Sequence, residues 1–175
     1  MGNKDRVGDA LAIRGQLHRF DGDPAAARAC HEEGLELMTE SGNADLAVAN
    51  LVGLAGDAQA AGDLDAALAH AEDALEAAAD DDVLRSRIRA RLGAIHREHG
   101  AFEAAGDALR RALDVQRERG VRTHEARTLL ELAELELARG DGAAALEHVE
   151  AASDLAAGCG ADLYVRRAGA LRGEL

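Results

Sequence analysis

Residues 60–78 read AAGDLDAALAHAEDALEAA. The stretch is rich in alanine, has no aromatic and no proline, and carries a single Gly-Asp pair at 62–63. That pair divides two helical patterns. Before it, Leu51, Leu54 and Ala58 recur at spacings of three and four; after it, Leu64, Ala67, Leu68, Ala71, Ala74 and Leu75 do the same. Such spacing places each set on one face of a helix. Glycine enters the left-handed region without a Cβ clash, so Gly62 is read as the end of the first helix. Asp63 then caps the second by accepting a backbone N–H.

The same break recurs in DGDPAAARACHEEGL at Gly22, in HGAFEAAGDALRRAL at Gly100 and in RGDGAAALEHVEAAS at Gly140. The four glycines are separated by 40, 38 and 40 residues. A helix–turn–helix unit repeating at this period predicts an all-α chain of the α-solenoid class, in which no unit buries its apolar face alone. The predicted helices run over 5–20, 24–40, 44–61, 64–79, 82–99, 102–119, 122–139 and 142–157. A ninth, over 161–174, carries Tyr164, Ala168, Leu171 and Leu175 on one face and caps the last pair. The expected organisation is one domain with repeats at about 5–41, 44–80, 82–120 and 122–158.

These units resemble tetratricopeptide repeats. The family places a small residue after a leucine in the first helix, a glycine at the turn, and alanines at two fixed places in the second helix. The third unit matches with Leu92-Gly93, Gly100, Ala105 and Ala112, and with Phe102 just after the turn. The second matches with Leu54-Ala55, Gly62, Ala67 and Ala74, and the fourth with Leu132-Ala133, Gly140, Ala145 and Ala152. The first has Gly15, Gly22, Ala27 and Gly34. Where the family often has tyrosine, this chain has His18, Ala58, His96 and Glu136. The longer period resembles the repeats of kinesin light chains, bacterial peptide-responsive regulators and the C-terminal regions of large ATPase-type transcription activators. Over roughly residues 5–160 the resemblance implies a scaffold that binds a protein or peptide in a concave groove lined by the first helix of each pair. A regulatory module of a larger signalling protein and a self-associating adaptor are the alternatives.

Composition narrows the function further. Aromatics are 2% of the 175 residues, which suits alanine-mediated helix contacts rather than a thick globular core. The net charge of −13 argues against nucleic acid as a partner, since phosphate binding draws on lysine and arginine. No apolar run reaches the roughly 20 residues of a membrane span. Cys30 and Cys159 belong to no Cys-x-x-Cys pair, so two reduced thiols in a cytoplasmic protein are expected. His96 and His99 have an H-x-x-H spacing, but a metal site needs three or four ligands and nothing local supplies the rest. His96 is read as filling a vacant aromatic position. No phosphate-binding glycine loop and no nucleophile paired with a base is present, so neither an enzyme nor a bound cofactor is expected.

Charge is unevenly spread. Residues 83–127 hold eleven arginines and six acids, a net of +5 against −18 for the remaining 130 residues. The groove positions implied by the resemblance place Arg87, Arg91 and Arg97 of the third unit and Arg127 of the fourth on the first-helix surface. Arg87 and Arg91 are one turn apart, and arginine forks suit carboxylates. Together with these forks, the resemblance implies as ligand an acidic segment or a peptide with a free C-terminal carboxylate. Glu131 and Glu134 offer a basic partner a contact instead. Whether the chain is a monomer or a homodimer stays open at this point.

Overall fold

The computed structural model describes residues 2–41 and 44–175, with side chains described except at 2, 3, 5, 41 and 44–46. Among the described residues all regular structure is helical: α1 (Gly2–Phe20), α2 (Pro24–Ser41), α3 (Ala44–Ala60), α4 (Leu64–Ala77), α5 (Asp82–Glu98), α6 (Phe102–Glu118), α7 (Arg122–Arg139), α8 (Gly142–Gly158) and α9 (Asp162–Arg172). The loop expected at 42–43 lies outside the described residues. The fold is the all-α, solenoid-class arrangement that the glycine period implies. Two compact units divide it, the first ending at Asp81 and the second spanning Asp82–Leu175.

The turns form as the Gly-Asp pairs imply. Gly22, Gly62, Gly100 and Gly140 have φ of 79°, 78°, 80° and 82°, the left-handed region that favours glycine. At each turn the residue after the glycine donates its N–H back to a carbonyl five positions earlier: Asp23 to His18, Asp63 to Ala58, Ala101 to His96 and Asp141 to Glu136, at 2.8–3.0 Å. The positions left without an aromatic thus still close each helix through their backbones. Asp23, Asp63 and Asp141 accept from the N–H three residues on at 3.0, 3.1 and 3.0 Å, and so cap the following helices. The connection after α4 departs from this scheme. It has no glycine, so Ala79 takes the positive φ of 41° and α4 stops at Ala77, two residues before its expected end.

In the first unit α1 pairs with α2 and α3 with α4, and α3 also packs on both α1 and α2. Ala27, Ala67, Ala71 and Ala74 are fully buried at the helix crossings. Gaps left by glycines hold larger side chains from the facing helix. A Cβ added to Gly15 would sit 2.4 Å from the His31 ring, and one added to Gly53 equally 2.4 Å from it. The imidazole of α2 is therefore wedged between α1 and α3. Its Nδ1 lies 2.5 Å from Asp57 Oδ2 and its Nε2 3.3 Å from the Ala12 carbonyl. Arg19 donates to Asp57 Oδ1 at 3.0 Å and to the Gly53 carbonyl at 3.1 Å. One buried polar cluster thus ties three helices together.

The second unit pairs α5 with α6 and α7 with α8, and α9 packs on α8 and α7. Its core is aliphatic, with Ile88, Ile95, Leu109, Leu130, Leu135 and Val149 buried among Ala105, Ala112, Ala145 and Ala152. Ala168 and Leu171 of α9 join that core and Tyr164 packs against it. Leu175, expected on the same face, is 45% exposed. The helix ends at Arg172, so the periodicity that would carry Leu175 inward stops before it.

Gly53→Ala is expected to destabilise the protein by about 1–3 kcal/mol through overpacking against His31. Gly169→Ala, at a helical position with nothing within 4 Å of the added Cβ, is expected to stabilise it by about 0.5–1 kcal/mol through helix propensity. Urea denaturation of both variants checks the contrast.

Candidate partner-binding surface of the second unit

The first helices of the second unit, α5, α7 and α9, neighbour one another in sequence order, with α5 against α7 and α7 against α9. They carry all six residues expected to meet a partner. Arg87 on α5 is exposed, Arg91 and Arg97 are half-buried, Arg127 and Glu134 on α7 are half-buried, and Glu131 is buried at 5% exposure.

Five of the six fall into two groups. Arg97 donates to Glu134 at 2.7 Å and lies 3.7 Å from Glu131. From the other side Arg167 of α9 donates to Glu131 at 3.0 Å and also to Glu134. Two carboxylates of α7 are therefore held between two guanidinium groups, one from each flanking helix. Burial alone lowers the Arg167 pKa, but the Glu131 and Glu134 charges and hydrogen bonds outweigh it and hold the pKa above the ordinary arginine value. Sequence reasoning placed Arg97, Glu131 and Glu134 on this surface and missed Arg167. The available signal was spacing: Arg167 follows Glu131 by 36 residues, close to one repeat, as Glu134 follows Arg97 by 37.

Arg87 and Arg127 form the second group, with His124 of α7 among them. Burial lowers the His124 pKa below its ordinary 6.5, and the charges of Arg87 and Arg127 lower it further. Among the described residues no carboxylate is among the groups that shift this imidazole. Two guanidinium groups and a half-buried neutral ring thus gather positive charge on α5 and α7, apart from the neutralised quartet's own pairings.

Several of the other arginines of 83–127 are paired or grouped elsewhere. Arg110, Arg117 and Arg119 pair with Asp107, Glu125 and Asp82 at 2.8, 3.0 and 2.6 Å. Arg89 lies among Arg85 and Arg111, and burial followed by those two like charges lowers its pKa. The excess of positive charge read along the chain is therefore split between an internally paired set and at least two separate clusters. Among the described residues no group of three or more His, Cys, Asp or Glu side chains is arranged to hold a metal ion.

The His124 shift fixes a sign. A histidine whose folded pKa is depressed is matched by a neutral unfolded histidine above the ordinary value, and there it contributes nothing to pH dependence. As pH falls through about 6.5 the unfolded chain takes up the proton first, and stability is lost until the folded pKa is passed. NMR titration of the imidazole is expected to place His124 below the ordinary histidine value of 6.5. Arg87→Gln/Arg127→Gln is expected to raise it part of the way back, with burial accounting for the remainder.

Residues 6–80 match the tetratricopeptide repeat family. The chain is similar in fold to the crystal structure of BtubC (BKLC) from P. vanneervenii, with a TM-score of 0.71 and 20% sequence identity over 97% of this chain and 82% of that one. No curated protein matches the chain. Among the described residues no helix is long and apolar enough to cross a membrane. Residues 82–175, which lie beyond that match, carry the same glycine turns and buried alanines as the matched residues.

Proposed function

We propose that the chain is a non-catalytic scaffold of the cytoplasm whose second unit binds a protein or peptide segment on the α5–α7–α9 surface. Tetratricopeptide repeats point to a protein partner. The observation that carries the finer reading is the grouping of Arg87, Arg127 and His124, where two like charges act on the half-buried ring and, among the described residues, no carboxylate does. A ligand carboxylate placed there relieves that repulsion and meets guanidinium forks able to bond it in bidentate fashion. Arg91 is half-buried and lies one turn from Arg87 on α5. Arg97, Glu131 and Glu134 serve as its frame, because Arg97 and Arg167 already neutralise the two glutamates. The ligand is thus an acidic segment, or one that ends in a free carboxylate.

Fluorescence anisotropy with an acidic peptide bearing a free C-terminus, its C-amidated form and a basic control tests this. The acidic peptide is expected to bind with an affinity that falls as salt rises. Arg87→Glu/Arg127→Glu is expected to weaken it at least tenfold with the helical circular dichroism unchanged. Binding is also expected to raise the His124 pKa toward its ordinary value. Equal affinity for the basic control, or no effect of the double substitution, would remove the reading.

A further inference from the structure

Seven large apolar side chains are exposed among the described residues, and four of them stand on α1: Val7 at 42%, Ile13 at 61%, Leu17 at 59% and Phe20 at 90%. With Ala10 they recur at spacings of three, three, four and three, which is one helical face. The opposite face is already occupied, for Gly8, Leu11, Ala12 and Gly15 are buried within the first unit. The helix is therefore apolar on both sides.

The second repeat shows what this face looks like when another helix pair stacks on it. Counting back from the turn glycines Gly22 and Gly62, Val7, Ala10, Ile13 and Leu17 correspond to Ala47, Asn50, Gly53 and Asp57. Those four α3 residues are buried, small or polar, and shaped to receive the preceding pair. Asn50 donates to the Gly8 carbonyl at 3.4 Å, Gly53 makes room for the His31 ring, and Asp57 bonds His31 and Arg19. On α1 the place of Gly53 is taken by isoleucine, although even a Cβ there would approach an inserted ring to 2.4 Å. The α1 face is thus not cut to accept a further repeat in the geometry of the first two. It suits a smooth apolar helix surface at ordinary interhelix distance.

The face is also self-complementary. Set antiparallel to its own copy about a two-fold axis near Ile13 and Arg14, it brings Val7 opposite Phe20, Ala10 opposite Leu17, and the exposed Arg6 opposite the exposed Asp21. Large side chains meet smaller ones and opposite charges meet at both ends, as an isologous interface requires. We propose that α1 is a self-association face, on which two copies of the chain pack α1 against α1 in antiparallel orientation. Covering the four exposed side chains on both copies removes on the order of 1,000 Å² from water, the lower bound for a specific interface. The dimer is accordingly of modest affinity and exchanges with monomer.

Sedimentation velocity of the full chain over roughly 1–500 µM tests this, a range that brackets dissociation constants of modest interfaces. The expected result is a concentration-dependent shift from the mass of one chain to that of two. Ile13→Glu/Leu17→Glu, at exposed positions, is expected to leave the circular dichroism unchanged and abolish the shift. Arg6→Asp is expected to weaken the dimer by placing like charges at both ends, and Arg6→Asp/Asp21→Arg to restore it. A single-chain mass at every concentration would overturn the proposal and give this face to a different partner. A dimer that survives Ile13→Glu/Leu17→Glu would overturn it too, and one indifferent to the Arg6 and Asp21 exchanges would overturn the antiparallel arrangement. These substitutions lie in the first unit, so the outcome is independent of peptide binding by the second.

Discussion

Every helix pair in this chain depends on close approach at a few positions that carry almost no side chain. Ala27, Ala67, Ala74, Ala105, Ala112, Ala145 and Ala152 are fully buried, and each lies on the second helix of its pair. At such a contact the backbones approach more closely than larger side chains allow, and a single added methylene is felt because the interior is close-packed. The left-handed glycine at each turn is the second half of the same device, for it returns the chain at an angle that brings the small residues together. With both in place, a sequence nearly devoid of aromatic residues still buries an apolar core within each unit.

What fills the spaces beside those contacts differs between the two units. In the first, Gly15 and Gly53 leave a slot that His31 occupies, and the polar ring then requires Asp57, which in turn holds Arg19. In the second, Gly93 leaves a slot that Leu109 occupies, and no polar partner is needed. The same repeat architecture therefore supports a hydrogen-bonded wedge in one place and an aliphatic one in another. A buried polar cluster gains geometric definition but is costly to disturb, since removing one member leaves the others without partners.

Charge follows the same logic of pairing across repeats. Arg19 stands three residues before Gly22 and reaches Asp57 of the next repeat; Arg97 stands three residues before Gly100 and reaches Glu134 of the next. In both units an arginine near the end of one first helix is answered by a carboxylate about 37 residues later on the neighbouring first helix. Such pairs neutralise Arg19, Arg97, Asp57 and Glu134 within the protein. The residual patch at Arg87, His124 and Arg127 is small for that reason, and its location has meaning only once the paired residues are subtracted. This distribution also explains how a chain with a net charge of −13 can present a local cationic surface.

The turn glycines, the capping aspartates and the alanine crossings were legible along the chain, because each rests on local rules: left-handed backbone, side-chain acceptors near a helix start, and helical periodicity. Gly62, Asp63, Ala67 and Ala74 are placed as their spacing implies. Tertiary structure alone decided which charges cancel. Nothing in the local sequence tells Arg97, which is paired with two glutamates, from Arg87, which stands beside His124; their partners come from other helices, at separations set by the repeat and by the facing angle. The same holds for His31, whose slot is built by two glycines on helices before and after its own, and for the apolar face of α1. That face looks like ordinary core in the sequence, and only the packing shows that the other side of the helix already supplies the core. Periodicity reports that a helix has an apolar face; the position of the neighbouring helices determines whether that face is covered.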